Sequence, residues 1–476
     1  MYKKQQIGVQ FFTLAIAFSI MACMGSIQVM QTPQPTSPTN LPQPTSPIKP
    51  PPSTETAIPI APNIPEATTP TVVSTSEQPV NGQVNILEMN SFKDEGDYWY
   101  FYGLVRNDSE RTINDVQIEI KLFDSTGAEI YAYTTYSMMS YLEPGETSPF
   151  SDFTTDPFAD GKTMQATVVG NNSTEAIKRA ILEYRRTSLW VDAYNDVYLA
   201  GEVFNGNKDP VEINSISGTL MDSNGKLVTA SYAYPFLSYI EPDATSPFVM
   251  MFDAPVGQAA TLDRYTLYSD AMITNPTSTY DISLSEKHKS YQDTNGNAHL
   301  VSAMTNNTSE PMHIYLVAGI YDKDGNCVDV NSVYFPVPLN PGATFPYDFS
   351  TWGALDYVPG AYEAGTQFKI YIDWMSTYEA SSPAFTLTTK DDTSAFDGSV
   401  GIFKGTVVND SGQDLITVIV VATIYDKASG ELIATNYSYV TESLTNNASG
   451  AYEIYVYPPH DIDPATVRFE ITALGQ

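Results

Sequence analysis

The sequence predicts an all-β protein: four tandem immunoglobulin-like β-sandwich modules following a disordered Pro/Thr-rich stalk. Three observations carry this prediction. Two landmarks recur at a period near 100 residues, apolar residues alternate between them, and 476 residues with 32 Tyr but only 16% charged residues suit several β-rich units better than one large core. The net charge of −32 repels polyanions, so nucleic acid is excluded as a partner. Two Cys and four His leave little material for a disulfide scaffold or a His-based metal or catalytic cluster.

The amino terminus reads as an address. Lys3 and Lys4 precede an apolar run from Ile7 to Ala22, shorter than the roughly 20 residues of a membrane span. The run ends Ile20-Met21-Ala22-Cys23, which resembles a bacterial lipobox. Residues 1–23 are therefore expected to be a signal peptide, with Cys23 as the lipidation site and the lipid as the link to the outer face of the cell membrane. Acylation would leave Cys327 without a disulfide partner, and burial is its expected fate. Residues 24–82 form the stalk: between Thr32 and Pro79 there are fourteen prolines, which lock φ, remove backbone donors and prevent a packed core.

The repeat begins after the stalk. Strands ending at Asn107, Asn205, Asn306 and Asn409 are spaced 98, 101 and 103 residues apart. Turns starting at Asp124, Asp222, Asp322 and Asp426 follow in step and close on Gly127, Gly225, Gly325 and Gly430. Alternation such as Val116, Ile118, Ile120 and Leu122 marks half-buried strands, although Ile419 and Val421 make both faces apolar in the last copy. Leading strands are placed at Ile86, Ile181, Ile282 and Phe385. Trailing strands are placed at Met164–Val169, Arg264–Tyr268, Phe368–Trp374 and Val467–Thr472. So many short strands bury their apolar faces only as two packed sheets. The expected modules are 83–171, 172–273, 274–379 and 380–476, each collapsing without need of its neighbours. A capping motif at Asn172-Ser-Thr-Glu175 allows a helix confined to about 173–180.

The combination of a Gly-x-Val-x-Asn strand, an apolar strand ending in Asp before a Gly turn, and a Leu-x-Pro-Gly closure is similar to the FxLYD family of bacterial extracytoplasmic domains. The name motif reads Ile120-Lys121-Leu122-Phe123-Asp124 in the first copy and Ala318-Gly319-Ile320-Tyr321-Asp322 in the third. The resemblance implies β-sandwiches on exported or lipid-anchored proteins and transfers no catalytic residue.

The site reading is correspondingly spare. No motif for a cofactor, a metal or a nucleophile elbow is present, so no enzyme is expected. The Asp-x-x-Gly loops have the chemistry of tight turns and lack the terminal Glu of a calcium loop. The repeated Asn residues cap hairpin backbone in preference to carrying glycans, although three of the four begin sequons. Tyr131, Tyr133, Tyr232, Tyr234, Tyr437 and Tyr439 form a candidate aromatic contact surface, since flat rings with a polar tip stack on sugars. The basic cluster Lys178, Arg179, Arg185 and Arg186 is read as a solvated edge in preference to a clamp on an acidic neighbour module or a wall polymer. The expected role is contact with a glycan, cell-wall polymer or surface protein, with a spacer subunit as the alternative.

Overall fold

A computed structural model describes residues 84–476 apart from 95, 175–176, 193–195, 256–261, 263, 351–366, 442 and 461. The chain divides into two units, Met1–Glu66 and Ala67–Gln476, and every described residue belongs to the second. Cys23, the signal segment and the stalk lie outside the described residues. No described helix is long and apolar enough to cross a membrane.

The first sandwich runs β1 (Val84–Lys93), β2 (Trp99–Asn107), β3 (Ile113–Asp124), β4 (Glu129–Tyr136), β5 (Tyr141–Leu142), β6 (Thr147–Phe153) and β7 (Gly161–Ser173). Its front sheet has the order β1-β2-β6; in its back sheet β3 lies between β4 and β7, with β5 pairing the start of β3. Period-two alternation puts Ile118, Ile120 and Leu122 inward, where they are fully buried against Phe101 and Phe150 of the front sheet.

The second sandwich repeats this plan with β8 (Leu182–Val191), β9 (Val197–Asn205), β10 (Val211–Met221), β11 (Leu227–Ala233), β12 (Tyr239–Ile240), β13 (Thr245–Phe252) and β14 (Arg264–Ile273). The third has β15 (Ile282–Leu284), β16 (Lys289–Gln292), β17 (Ala298–Asn306), β18 (Met312–His313), β19 (Tyr315–Tyr321), β20 (Cys327–Tyr334), β21 (Thr344–Ser350), β22 (Gln367–Ile372) and β23 (Tyr378–Glu379). The fourth has β24 (Phe385–Phe396), β25 (Gly401–Val408), β26 (Val418–Asp426), β27 (Leu432–Thr441), β28 (Ser449–Val456) and β29 (Val467–Gly475). There β24 switches sheets, pairing first with β29 and then with β25. Every described strand pairs within its own sandwich, so the fold is a series of immunoglobulin-like sandwiches and not a closed barrel or propeller.

The two landmarks are structural devices. Asn107, Asn205, Asn306 and Asn409 are fully buried. Each donates two hydrogen bonds from Nδ2; those of Asn409 go to the carbonyls of Gln413 at 2.8 Å and Leu444 at 2.7 Å. Each Oδ1 also accepts a backbone N–H two residues on, from Ser109, Asn207, Thr308 and Ser411. One amide thus stitches the loop after the second strand to the short closing segment, a job that only Asn performs with both donor and acceptor. The Asp turns work similarly: Asp124 accepts from the N–H of Thr126 at 2.7 Å and Ala128 at 3.0 Å, while Gly127 turns the chain at φ 84°.

Three expectations need correction. No helix forms among the described residues of 173–180. Ser173 ends β7, and Arg179 and Ala180 lie extended against β14, whose Ala271 carbonyl accepts from the Ala180 N–H at 3.0 Å. Tertiary pairing has overridden a local capping signal. Ile181 is 83% exposed and precedes β8 instead of sitting in it. The boundary expected at 171/172 falls inside β7, which continues to Ser173.

The sandwiches also bury apolar surface against one another. Tyr102 and Leu104 of β2 pack on Leu227 and Ala230 of β11. Ala200 of β9 packs with Cys327 and Val330 of β20. Ile419 and Val421 of β26 join the core cluster of the third sandwich. At each junction the edge strand that follows the Asp turn, β11, β20 or β27, meets the front sheet of the preceding sandwich. Cys327 is buried in the second of these interfaces, as a free thiol pushed up to about 12 chiefly by burial.

Candidate functional site: an aromatic cleft between the third and fourth sandwiches

The stacking of sandwiches leaves grooves beside the buried junctions. The groove between the third and fourth sandwiches is a cleft of about 500 Å³. Its walls carry Tyr334 from β20 on one side and Tyr437 and Tyr439 from β27 on the other, with Tyr457 also at the rim. Ser332 and Asn436 supply neutral polar groups, and His299 and Asp348 ionisable ones. Concave, aromatic and sparsely polar, this is the kind of surface that grips a flat, hydroxylated ligand.

Sequence and packing fix each wall. Tyr437 and Tyr439 lie opposite Val421 and Ile419 in the β26–β27 register, so all four face the third sandwich. Tyr437 packs on Phe335 at 6.2 Å between ring centroids and on Tyr439 at 5.9 Å. Burial pushes the Tyr437 hydroxyl up to about 12 and raises those of Tyr439 and Tyr334, so all three are neutral hydrogen-bonding phenols at ordinary pH. The Asn436 amide donates to the Tyr455 carbonyl at 2.8 Å.

His299 on β17 is held between two carboxylates. Its Nδ1 lies 2.7 Å from Asp348 of β21 and its Nε2 lies 3.6 Å from Asp293 in the turn after β16. Burial opposes charge on the ring, but the hydrogen bond and charge of Asp348, together with Asp293, outweigh it and raise the imidazole above its ordinary range. Tyr291 stacks on that ring at 4.9 Å, and its hydroxyl donates to the Tyr457 carbonyl of the fourth sandwich at 3.0 Å. The Asp293-Thr-Asn-Gly296 segment is a turn: Asp293 accepts from the N–H of Asn295 and Asn297. No group of three metal-ligating side chains is present among the described residues.

The six tyrosines chosen from sequence do not form one repeated surface. Tyr131 and Tyr133 pair with Leu122 and Ile120 and so face the inner side of their sheet, where Tyr131 stacks on Phe101 at 6.1 Å. Tyr232 lies opposite Ser217 on the outer side, and Tyr437 opposite Val421 likewise. The tyrosine pair of the first copy begins four positions after its turn glycine and those of the second and fourth begin seven after theirs, an odd offset that puts the first pair on the other face. Only Tyr437 and Tyr439 of the six line the cleft, and His299, Asp348, Tyr334 and Tyr457 had no sequence signal as a group because they come from distant strands.

Two members of the basic cluster bridge sandwiches. Arg179 donates to the Tyr141 carbonyl at 2.9 Å and to Glu146 at 2.8 Å in the first sandwich, while Asp270 of the second lies 3.8 Å away. Arg186 lies 3.7 Å from buried Glu202, which accepts from the Tyr321 hydroxyl of the third sandwich at 2.6 Å. Lys178 and Arg185 make exposed pairs with Asp209 and Glu183, and the Arg185 guanidinium also lies 3.4 Å from the centroid of the Phe204 ring.

No family model and no curated protein matches the chain. Among solved structures it is similar to native Escherichia coli alpha-2-macroglobulin at 8% identity and a TM-score of 0.13, over 81% of this chain and 28% of that one. It is similar to a calcium-binding mutant of Bacteroides uniformis beta-glucuronidase 2 at 10% identity and a TM-score of 0.11, over 57% of this chain and 29% of that one. The chain thus spans less than a third of either, and likenesses of that size carry no argument about activity.

Proposed function

We propose that this is an exported lipoprotein, anchored through an acylated Cys23 and raised from the membrane by the 24–82 stalk, whose tandem sandwiches bind a glycan or other cell-envelope polymer. The role is contact and not turnover. The observation that carries the reading is the cleft walled by Tyr334, Tyr437 and Tyr439, with neutral phenols, Ser332 and Asn436 able to answer sugar hydroxyls. Four similar copies also suit a binding array better than a single active centre. The FxLYD resemblance supports the exported setting.

The test is retention of the full chain on immobilised envelope polysaccharides. Tyr439→Ala, which removes an exposed ring of the cleft, should lower retention about tenfold while the thermal unfolding midpoint is little shifted. Undiminished retention would remove the cleft from the reading. For the anchor, labelling by a fatty-acid probe in cells should vanish in Cys23→Ala.

A further inference from the structure

Counting from the turn glycine aligns the copies without reference to aromatic residues. Nine positions after Gly127, Gly225, Gly325 and Gly430 the residue is tyrosine every time: Tyr136, Tyr234, Tyr334 and Tyr439. These are equivalent places in the fold. Tyr136, Tyr334 and Tyr439 lie opposite Gln117, Tyr315 and Ile419, each seven residues before its turn aspartate. Tyr234 directly follows Ala233, the partner of Ile216, and so falls at the same register. All four sit at the outer end of an edge strand, on the side that faces the preceding sandwich where there is one. Their exposures are 57, 64, 39 and 58%, so core packing does not account for the recurrence.

Two of these rings, Tyr334 and Tyr439, are opposite walls of the aromatic cleft. The same surfaces meet at every junction, with β11 on the first front sheet, β20 on the second and β27 on the third. By equivalence of position, Tyr136 and Tyr234 are assigned to the first junction and Tyr234 and Tyr334 to the second, as Tyr334 and Tyr439 line the cleft at the last. Phe153, 56% exposed on β6, adds a further ring on the first sandwich. A net charge of −32 works against any polyanion lying along such a path.

We infer that Tyr136, Tyr234, Tyr334 and Tyr439 are successive rungs of one aromatic ladder that binds an uncharged, linear polysaccharide across several sandwiches. This deepens the glycan reading of the cleft and rests on it. The ladder requires affinity to grow with ligand length, because each added rung is engaged at high effective concentration.

The experiment uses the full chain and calorimetric titration with hydroxyethylcellulose, β-1,4-mannan, laminarin and dextran, each beside its own hexasaccharide. At least one polymer should bind about tenfold or more tightly, per hexasaccharide unit, than the matching hexasaccharide. Tyr136→Ala with Tyr234→Ala, both remote from the cleft, should bring the polymer down to the hexasaccharide value. Equal affinities for polymer and hexasaccharide, or no effect of the double substitution, would overturn the ladder and leave the single cleft standing. If no member of the panel binds, the ladder and the glycan reading of the cleft both fall. Circular dichroism and the unfolding midpoint of the variant guard against misfolding, since both positions are exposed.

Discussion

The back sheets of the first and fourth sandwiches share the orders β4-β3-β7 and β27-β26-β29 but present opposite outer faces. At the position five residues before the turn aspartate the first has Glu119 and the fourth Val421; two residues later they have Lys121 and Thr423. Glu119 and Lys121 are partly exposed and ion-paired, with Lys121 also 3.2 Å from Glu129. Val421 and Thr423 are buried. Among the described residues no sandwich precedes the first, whereas the third covers the fourth. The front sheets mirror this: Tyr102 of the first is buried, while its counterpart in the fourth, Lys404, is exposed and pairs with Glu453 at 2.9 Å. Neighbours write the outer faces of a repeat, and the two ends of this stack are polar in the manner of capping repeats.

The sharpest way to break the comparison is to place the charge of one end on the covered face of the other. Val421→Asp puts an unpaired carboxylate into the junction and should cost about 3 kcal/mol or more in urea unfolding. Because the sandwiches share interfaces, the third should loosen with the fourth, seen as hydrogen-exchange protection lost on both sides. Loss confined to the fourth would mean the junction carries little energy.

Next in size is Asn409→Ala, which abandons the buried Leu444 carbonyl and the partly buried Gln413 carbonyl and should cost about 2 kcal/mol, read from the urea midpoint; Asn107→Ala should cost a similar amount, because this device sits inside each sandwich and ignores neighbours.

A smaller effect is expected from pH. The folded pKa of His299 is raised, so its contribution is complete below the ordinary imidazole value near 6.5 and is lost as pH rises through the higher folded value. His299→Gln should therefore flatten the fall in stability above about pH 6.5, measured by thermal unfolding across pH, and leave the slope below pH 6 to the carboxylates. Glu119→Val should matter least, within about 0.5 kcal/mol, since it alters an exposed pair on an uncovered face. A large effect there would show that the first back sheet is covered by something after all.

The all-β class, the four-fold rhythm and the turn chemistry were legible in the sequence because they are local. Period two, an Asp-to-Gly turn and a repeated Asn each specify backbone geometry within a few residues. Even the stacking left a trace: the doubly apolar run Val418–Val421 belongs to a strand covered on both sides. What the chain alone did not disclose is what lies across from each face. The helix anticipated near residue 177 gave way to pairing with β14, and the tyrosine pairs turned out to point to different sides of their sheets. The cleft joins Asp348, Tyr334 and Tyr439 only through the junction of two sandwiches. Side-chain identity determines which surfaces seek cover, and sandwich-to-sandwich packing decides which of them find it, because burial depends on residues a hundred positions away.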